Sequence, residues 1–339
     1  MKILRALRFF GGLVALILPA VPVPEIQAQE QLLVAYGGHN ESVASMWVGI
    51  EKGLFKKYGL DVRVVQVRSG PMIMSAMASR DVLVGWAIAT SVLNAASGGL
   101  RMSFIASPNV KIVRDVMVRR DIKSLDDLRG RVLGVQSIGG GTWLNALIVL
   151  DALGVDPDKY GLKIRVIGDE TAITQALLAE MIDVAVLTHS FSEVLKRAGF
   201  RSLADTAELN VAYQGSGMAA LRDVLASSPD LITRLLKGMI EAVAFIHDPN
   251  NKQDVSGILK KNLRLAKAED AEASYRVLRS TTSLDVAPNI EAWRKIRRFL
   301  SPINPKVGQA DLTEVLNGSF VQELEKTGFL PEMRRKMMR

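Results

Sequence analysis

The chain of 339 residues contains no cysteine. That absence excludes disulfides, thiolate metal centres, cysteine nucleophiles and the lipid-bearing cysteine of a bacterial lipoprotein. Histidine is scarce as well. His39, His189 and His247 are scattered without the paired spacing of metal ligands, which argues against a metal centre. No Gly-x-Gly-x-x-Gly follows a strand pattern, and no lysine follows Gly139-Gly140-Gly141, so nucleotide binding has no support. The Gly-x-Ser-x-Gly elbow of the α/β hydrolases is missing too. Aromatic residues make up only 6% and do not interleave with the basic ones, so the formal charge of +8, from 43 basic and 35 acidic residues, does not point to nucleic acid. A surplus of that size suits an anionic partner without requiring one. These absences leave no cofactor, no metal and no catalytic group to name.

What remains is an ordinary globular balance, 48% hydrophobic and 23% charged, in a chain long enough for two domains of roughly 100 to 200 residues. Lys2, Arg5 and Arg8 precede the uncharged run 9–24, and Ala28 offers a small residue for cleavage, so residues 1–28 read as a secretory signal peptide. Pro19, Pro22 and Pro24 interrupt the run, which is shorter than the roughly 20 apolar residues of a bilayer-spanning helix. A retained anchor is the weaker reading. No later apolar stretch has spanning length, so the expectation is a soluble periplasmic monomer with no stable membrane insertion after cleavage.

Beyond residue 28 the pattern alternates between strand and helix. An apolar run at 32–35 stops at Gly37-Gly38, and 42–57 carries Val43, Met46, Trp47 and Ile50 at helical spacing. The β-branched run 62–67 ends at Ser69-Gly70-Pro71 before a helix to about residue 78, and 81–85 is a third strand. The same order returns in 132–135, the loop 137–142, a helix over 143–153, a strand at 162–167, a helix over 171–181 and a strand at 183–187. Sliding the chain by 102 residues lays Gly37 on Gly139, Gly38 on Gly140, Asp81 on Asp183, Val82 on Val184 and Val84 on Val186. Strands joined through helices imply parallel sheets. The reading is two related α/β lobes: lobe I from 29–115 plus 215–339, lobe II from 116–214, linked by two hinge segments. Strands at 103–106 and 115–118 and an extended stretch at 211–221 mark the crossings. Helices at 253–263, 267–280, 290–300 and 311–326 complete lobe I with one opened by Ser228-Pro229-Asp230, and Arg334-Arg335-Lys336 reads as a solvated tail.

In open parallel sheets a ligand sits at the carboxyl ends of the strands, where loops enter helix N-termini whose free N–H groups favour acceptors. Those loops nominate Gly38, His39, Ser42, Arg68, Ser69, Gly70, Trp86 and Thr90 from the first lobe. Ser137, Gly140, Gly141, Thr142, Glu170, Thr188 and His189 come from the second. Glycines allow close backbone approach and hydroxyls add donors. Ser42, Ser69, Thr90 and Thr142 also suit plain helix capping, Trp86 suits stacking on a flat ligand or core packing, and Trp143 reads as packing. Helix N-termini and Arg68 lean toward a small organic anion.

Trp47 followed by Glu51-Lys52-Gly53-Leu54-Phe55-Lys56-Lys57-Tyr58-Gly59-Leu60-Asp61-Val62 resembles the E-x-G-x-F-x-x-x-G-L-x-V segment of ABC-transporter substrate-binding proteins of the nitrate, sulfonate and taurine type. Ser124-Leu125-Asp126-Asp127-Leu128-Arg129-Gly130-Arg131-Val132 resembles their S-L-x-D-L-x-G-K-x stretch, with Arg131 in place of lysine. Residues 176–186 resemble A-L-x-x-G-x-I-D-A-A, with Glu180-Met181 where glycine is common. The likeness covers about residues 31–245. It implies an α/β, two-lobed type II periplasmic binding protein fold, each lobe a mostly parallel sheet flanked by helices, capturing a small-molecule ligand for an ABC transporter permease. Family ligands include oxyanions, sulfonates, aromatic acids and pyrimidines. Two alternatives stay open: an enzyme on the same fold, of the pyrimidine or menaquinone-precursor kind, and a periplasmic ligand-sensing module. The pyrimidine synthases carry a cysteine-rich motif that this chain lacks.

Overall fold

The computed structural model describes residues 29–206, 211 and 213–337; the expected signal segment 1–28 lies outside them. The chain first lays down β1 (Glu30–Tyr36), β2 (Leu60–Gln66), β3 (Val84–Ala87) and β4 (Met102–Ala106). It then passes to a second sheet through β5 (Asp115–Val118), β6 (Val132–Val135), β7 (Lys163–Val166), β8 (Val184–Leu187) and β9 (Arg201–Asp205), and returns through β10 (Gly217–Leu221). The spatial orders are β2-β1-β3-β10-β4 and β7-β6-β8-β5-β9. In each sheet one strand is antiparallel to both neighbours: β10 in the first and β5 in the second, each the strand that follows a crossing. The remaining pairings are parallel, and the two sheets repeat one topology, as the duplicated pattern implied.

The inner strands β3 and β8 are buried throughout, which is why they read as unbroken apolar runs. Helices α1 (Ala44–Glu51), α2 (Gly70–Ala78), α3 (Ala89–Ser97), α4 (Gly141–Ala152), α5 (Glu170–Leu178) and α6 (His189–Arg197) follow β1, β2, β3, β6, β7 and β8 in turn. After β10 come α7 (Arg222–Ser227), α8 (Pro229–His247), α9 (Lys252–Asn262), α10 (Ala268–Thr281) and α11 (Ile290–Leu300). One apolar cluster joins Leu32, Trp47 and Phe55 to the buried face of α8. A second runs from Phe104 of the first sheet through Trp293 and Trp143 to Val116 and Val135 of the second, so Trp143 is core, as expected.

Two expectations fail near the C-terminus. The single helix over 311–326 is two, Leu312–Val315 and Ser319–Lys326, because the chain between them straightens beside the edge strand β4: Leu316 bridges Phe104, and the Asn317 amide donates to the Phe104 carbonyl at 2.9 Å. The basic run is no tail. It belongs to a helix, Phe329–Met337, that buries Leu330 and Met333, with Arg334 paired to Glu325 at 2.8 Å.

Candidate functional site

Between the sheets lies a cleft of about 630 Å³, a volume usual for a small-molecule site. Its walls come from the carboxyl ends of strands in both. Of the residues nominated from sequence, Gly38, His39, Ser42, Gly70 and Trp86 line it from the first sheet, and Ser137, Gly140, Gly141, Thr142 and Glu170 from the second.

Five others lie outside the lining. Arg68 is exposed and offers its carbonyl to Gln136 Nε2 at 2.9 Å. Ser69 occupies the N-cap of α2 without a side-chain cap bond. Thr90 is fully buried, and its hydroxyl has no partner among the described residues. Thr188 bonds Glu170 and lines a neighbouring hollow of about 40 Å³. His189 lies 3.8 Å from Glu193.

Inside the cleft, several nominated side chains are already engaged. The carbonyl of Asn262 accepts from His39 Nε2 at 2.8 Å, which puts the ring proton on Nε2 and leaves Nδ1 to accept from the Tyr36 hydroxyl at 2.9 Å. Both nitrogens of His39 are thereby occupied, so a guest meets only the ring's face or edge. Trp86 is buried, and its indole donates to the Ser42 carbonyl at 3.2 Å, fastening the β1 loop to β3. Ser42 does not cap: Asn40 does, accepting from the Ser42 amide and hydroxyl. The Thr142 hydroxyl accepts from the Gln136 amide at 2.7 Å.

The strongest electrostatic feature is one that sequence reading missed. Arg114, on the crossing into β5, donates to Glu170 Oε1 at 2.7 Å, both side chains being less than one-tenth exposed. Glu170 Oε1 also accepts from Asn40 Nδ2 at 3.1 Å, and Oε2 from the Thr188 amide and hydroxyl at 3.1 and 2.7 Å. Burial is the largest single influence and works against the Arg114 charge, but the Glu170 carboxylate with its hydrogen bond, together with Tyr213 and Glu41, raises the guanidinium pKa on balance. Tyr213, on the returning crossing, has its phenol pKa raised by burial and donates to Asn145 at 3.2 Å. Thr206 ties the two crossings together, its hydroxyl accepting from the Arg114 amide at 2.5 Å and donating to the Arg114 carbonyl at 2.6 Å. Nothing local marks Arg114 in sequence; its partner is 56 positions away.

A second carboxylate also crosses the cleft. Glu41, buried in the β1 loop, accepts from the Ser190 amide at the N-terminus of α6 at 3.2 Å. Near the rim, Arg197 of α6 pairs with Asp270 of α10 at 2.6 Å. Among the described residues no group of His, Asp or Glu side chains is placed to hold a metal ion.

With this geometry in view, comparison with known proteins gives consistent matches. A family model described as NMT1/THI5 like matches residues 40–252. A Brucella abortus (strain 2308) protein, named as a candidate binding protein, is 25% identical over 280 residues, covering 76% of this chain and 83% of its own. The periplasmic aliphatic sulphonate binding protein of Escherichia coli superposes with a TM-score of 0.67 at 20% identity, covering 85% of this chain and 92% of its own. The periplasmic nitrate-binding protein of Synechocystis PCC 6803 gives 0.69 at 14% identity, covering 88% of each.

Proposed function

The chain belongs to the NMT1/THI5-like family, and from that premise and the shape of the cleft we propose that it is a solute-binding protein, trapping one small organic molecule between two lobes for an ABC permease. The observation that carries the reading is the double origin of the cleft wall: two sheets of one topology, linked through paired crossings, turn their loop-bearing ends toward each other. A solute that touches both walls binds the closed arrangement better than the open one and so shifts the population toward closure. A permease then distinguishes loaded from empty protein by shape. Micromolar capture needs only about 8 kcal/mol, within reach of a few preformed hydrogen bonds and desolvation.

In this reading lobe I is 29–115 with 215–339, lobe II is 116–214, and the crossings beside Arg114 and Tyr213 are the hinge. The nominated residues lining the cleft contact the guest, Thr188 acts through Glu170, and the protein works as a periplasmic monomer after loss of residues 1–28. Support for periplasmic residence comes from the relatives, and among the described residues no helix is long and apolar enough to cross a membrane. Support for binding without chemistry comes from the binding-protein names of the relatives and from His39, whose two nitrogens are both engaged within the protein.

A thermal-unfolding screen of residues 29–339 against several hundred metabolites tests this. A true ligand at 100 times its Kd adds about 2.7 kcal/mol of apparent stability, and small-angle scattering of that complex should show contraction. Turnover of the hit by the isolated protein would overturn the carrier reading in favour of an enzyme.

A further inference from the structure

Helices in this chain end in two ways. α1, α3, α4 and α6 each reach a left-handed glycine two residues past the last helical one: Gly53, Gly99, Gly154 and Gly199, with φ between 66° and 98°. α2, α5 and α9 place Arg80, Glu180 and Arg264 at that same position, with φ of 65°, 55° and 54°. A side chain there carries a steric cost that glycine avoids, so its retention points to a contact that offsets the strain. Two of the three have one. Arg80 pairs with Asp223, and Glu180 with Arg119 at 3.0 Å and Arg120 at 3.7 Å. Arg264 has neither an ion pair nor a side-chain hydrogen bond among the described residues, although its backbone closes α9 in the usual way, with the Leu265 amide donating to the Lys260 carbonyl at 3.0 Å. It lines the cleft and is exposed, which puts it at the mouth, whereas Ile73 and Trp86 are buried at the inner wall.

The cleft is also roomy. Its walls already touch through Asn40–Glu170, Glu41–Ser190 and Arg197–Asp270, yet about 630 Å³ remains. An inorganic oxyanion or a short alkanesulfonate would leave most of that empty, whereas a drug-sized solute fills it. Ile88, Phe191, Val194, Leu263 and Leu265 give the lining an apolar part. We infer that Arg264 sets specificity at the mouth, pairing with a carboxylate on the outer end of the guest, so that the cleft selects a long solute with an apolar middle and an anionic outer end over a short or uncharged one. The inference rests on the solute-binding reading and concerns the outer end alone. Glu170 and Asp270 already engage Arg114 and Arg197, which leaves Arg264 as the cleft arginine free for a guest among the described residues. Its planar fork matches the two oxygens of a carboxylate.

Calorimetry on residues 29–339 with suberate, 1,8-octanediol and glutarate tests this, the three being a long dicarboxylate, an uncharged solute of the same length and a short dicarboxylate. Suberate should bind most tightly, by about fivefold over the diol. Arg264→Gly should weaken suberate by a similar factor and leave the diol unchanged, while Arg264→Lys, which keeps the charge without the fork, should keep part of the preference. The glycine variant should also raise the thermal midpoint of the empty protein, because it relieves the left-handed strain. Diol or glutarate binding as tightly as suberate, unchanged suberate affinity in Arg264→Gly, or a lowered midpoint, which would reveal a structural partner for Arg264, overturns the assignment and leaves solute capture standing. If none of the three binds at 10 mM the assignment falls, and solute capture is judged separately by the metabolite screen.

Discussion

Glu170 gathers four donors from three parts of the chain, Asn40 after β1, Arg114 before β5 and Thr188 after β8, so this one carboxylate is where the crossing and both loop-bearing ends meet. Removing it leaves a buried guanidinium without the carboxylate it donates to. Glu170→Ala should therefore destabilise by about 3–5 kcal/mol, whereas the paired change Arg114→Met with Glu170→Leu should cost less than the two single losses combined. Urea midpoints for the parent, Arg114→Met, Glu170→Leu and the double variant give the coupling, and an additive result would mean that the pair contributes nothing as a pair. The sequence points to Glu170 through its place at a helix start, because such positions have a local signature. It is silent on Arg114, because a long-range ion pair leaves no trace in spacing or composition.

The turn from α1 into β2 shows which parts of an element can be read in advance. Phe55 is buried between two helices at glycines: a Cβ on Gly49 of α1 would fall 2.5 Å from its ring, and one on Gly238 of α8 would fall 2.4 Å away. Gly53 and Gly59 take left-handed φ values of 66° and 73°, so the glycines and the phenylalanine of the family-like segment each answer a steric demand. In a free helix Gly→Ala gains about 1 kcal/mol, but here overpacking against Phe55 opposes it. Gly49→Ala and Gly238→Ala should each destabilise by about 1–3 kcal/mol, and Phe55→Leu should relieve part of that in the double variant; denaturant midpoints measure both. Stabilisation by either alanine would show that Phe55 moves freely. Glu180 departs from the family pattern and holds a left-handed φ of 55° where glycine is common. The break at Leu316 was not legible, because the partner that ends the helix is a carbonyl on β4, more than 200 positions earlier.

At the scale of the molecule, duplication was the legible signal, since two copies of one strand–loop–helix plan place equivalent loops at equivalent strand ends. How far each loop reaches into the cleft was not, because that depends on contacts between the copies: Arg68 is exposed outside the lining, with only its carbonyl reaching Gln136 of the other copy, and Arg197 meets Asp270 only because α6 packs on α10. Under the two-lobe reading the Arg197–Asp270 pair exists in the closed form alone, so it acts on the guest's escape and not on its arrival. Arg197 is 43% exposed, which limits the pair to about 1 kcal/mol or less and makes it sensitive to salt. Arg197→Ala should raise koff of a bound solute by up to about fivefold with kon unchanged, followed by stopped-flow tryptophan fluorescence. Salt at 1 M should speed release from the parent protein and have little effect on the variant, because screening and substitution remove the same interaction. A variant that loses kon while keeping koff would instead make Arg197 a steering charge at the rim.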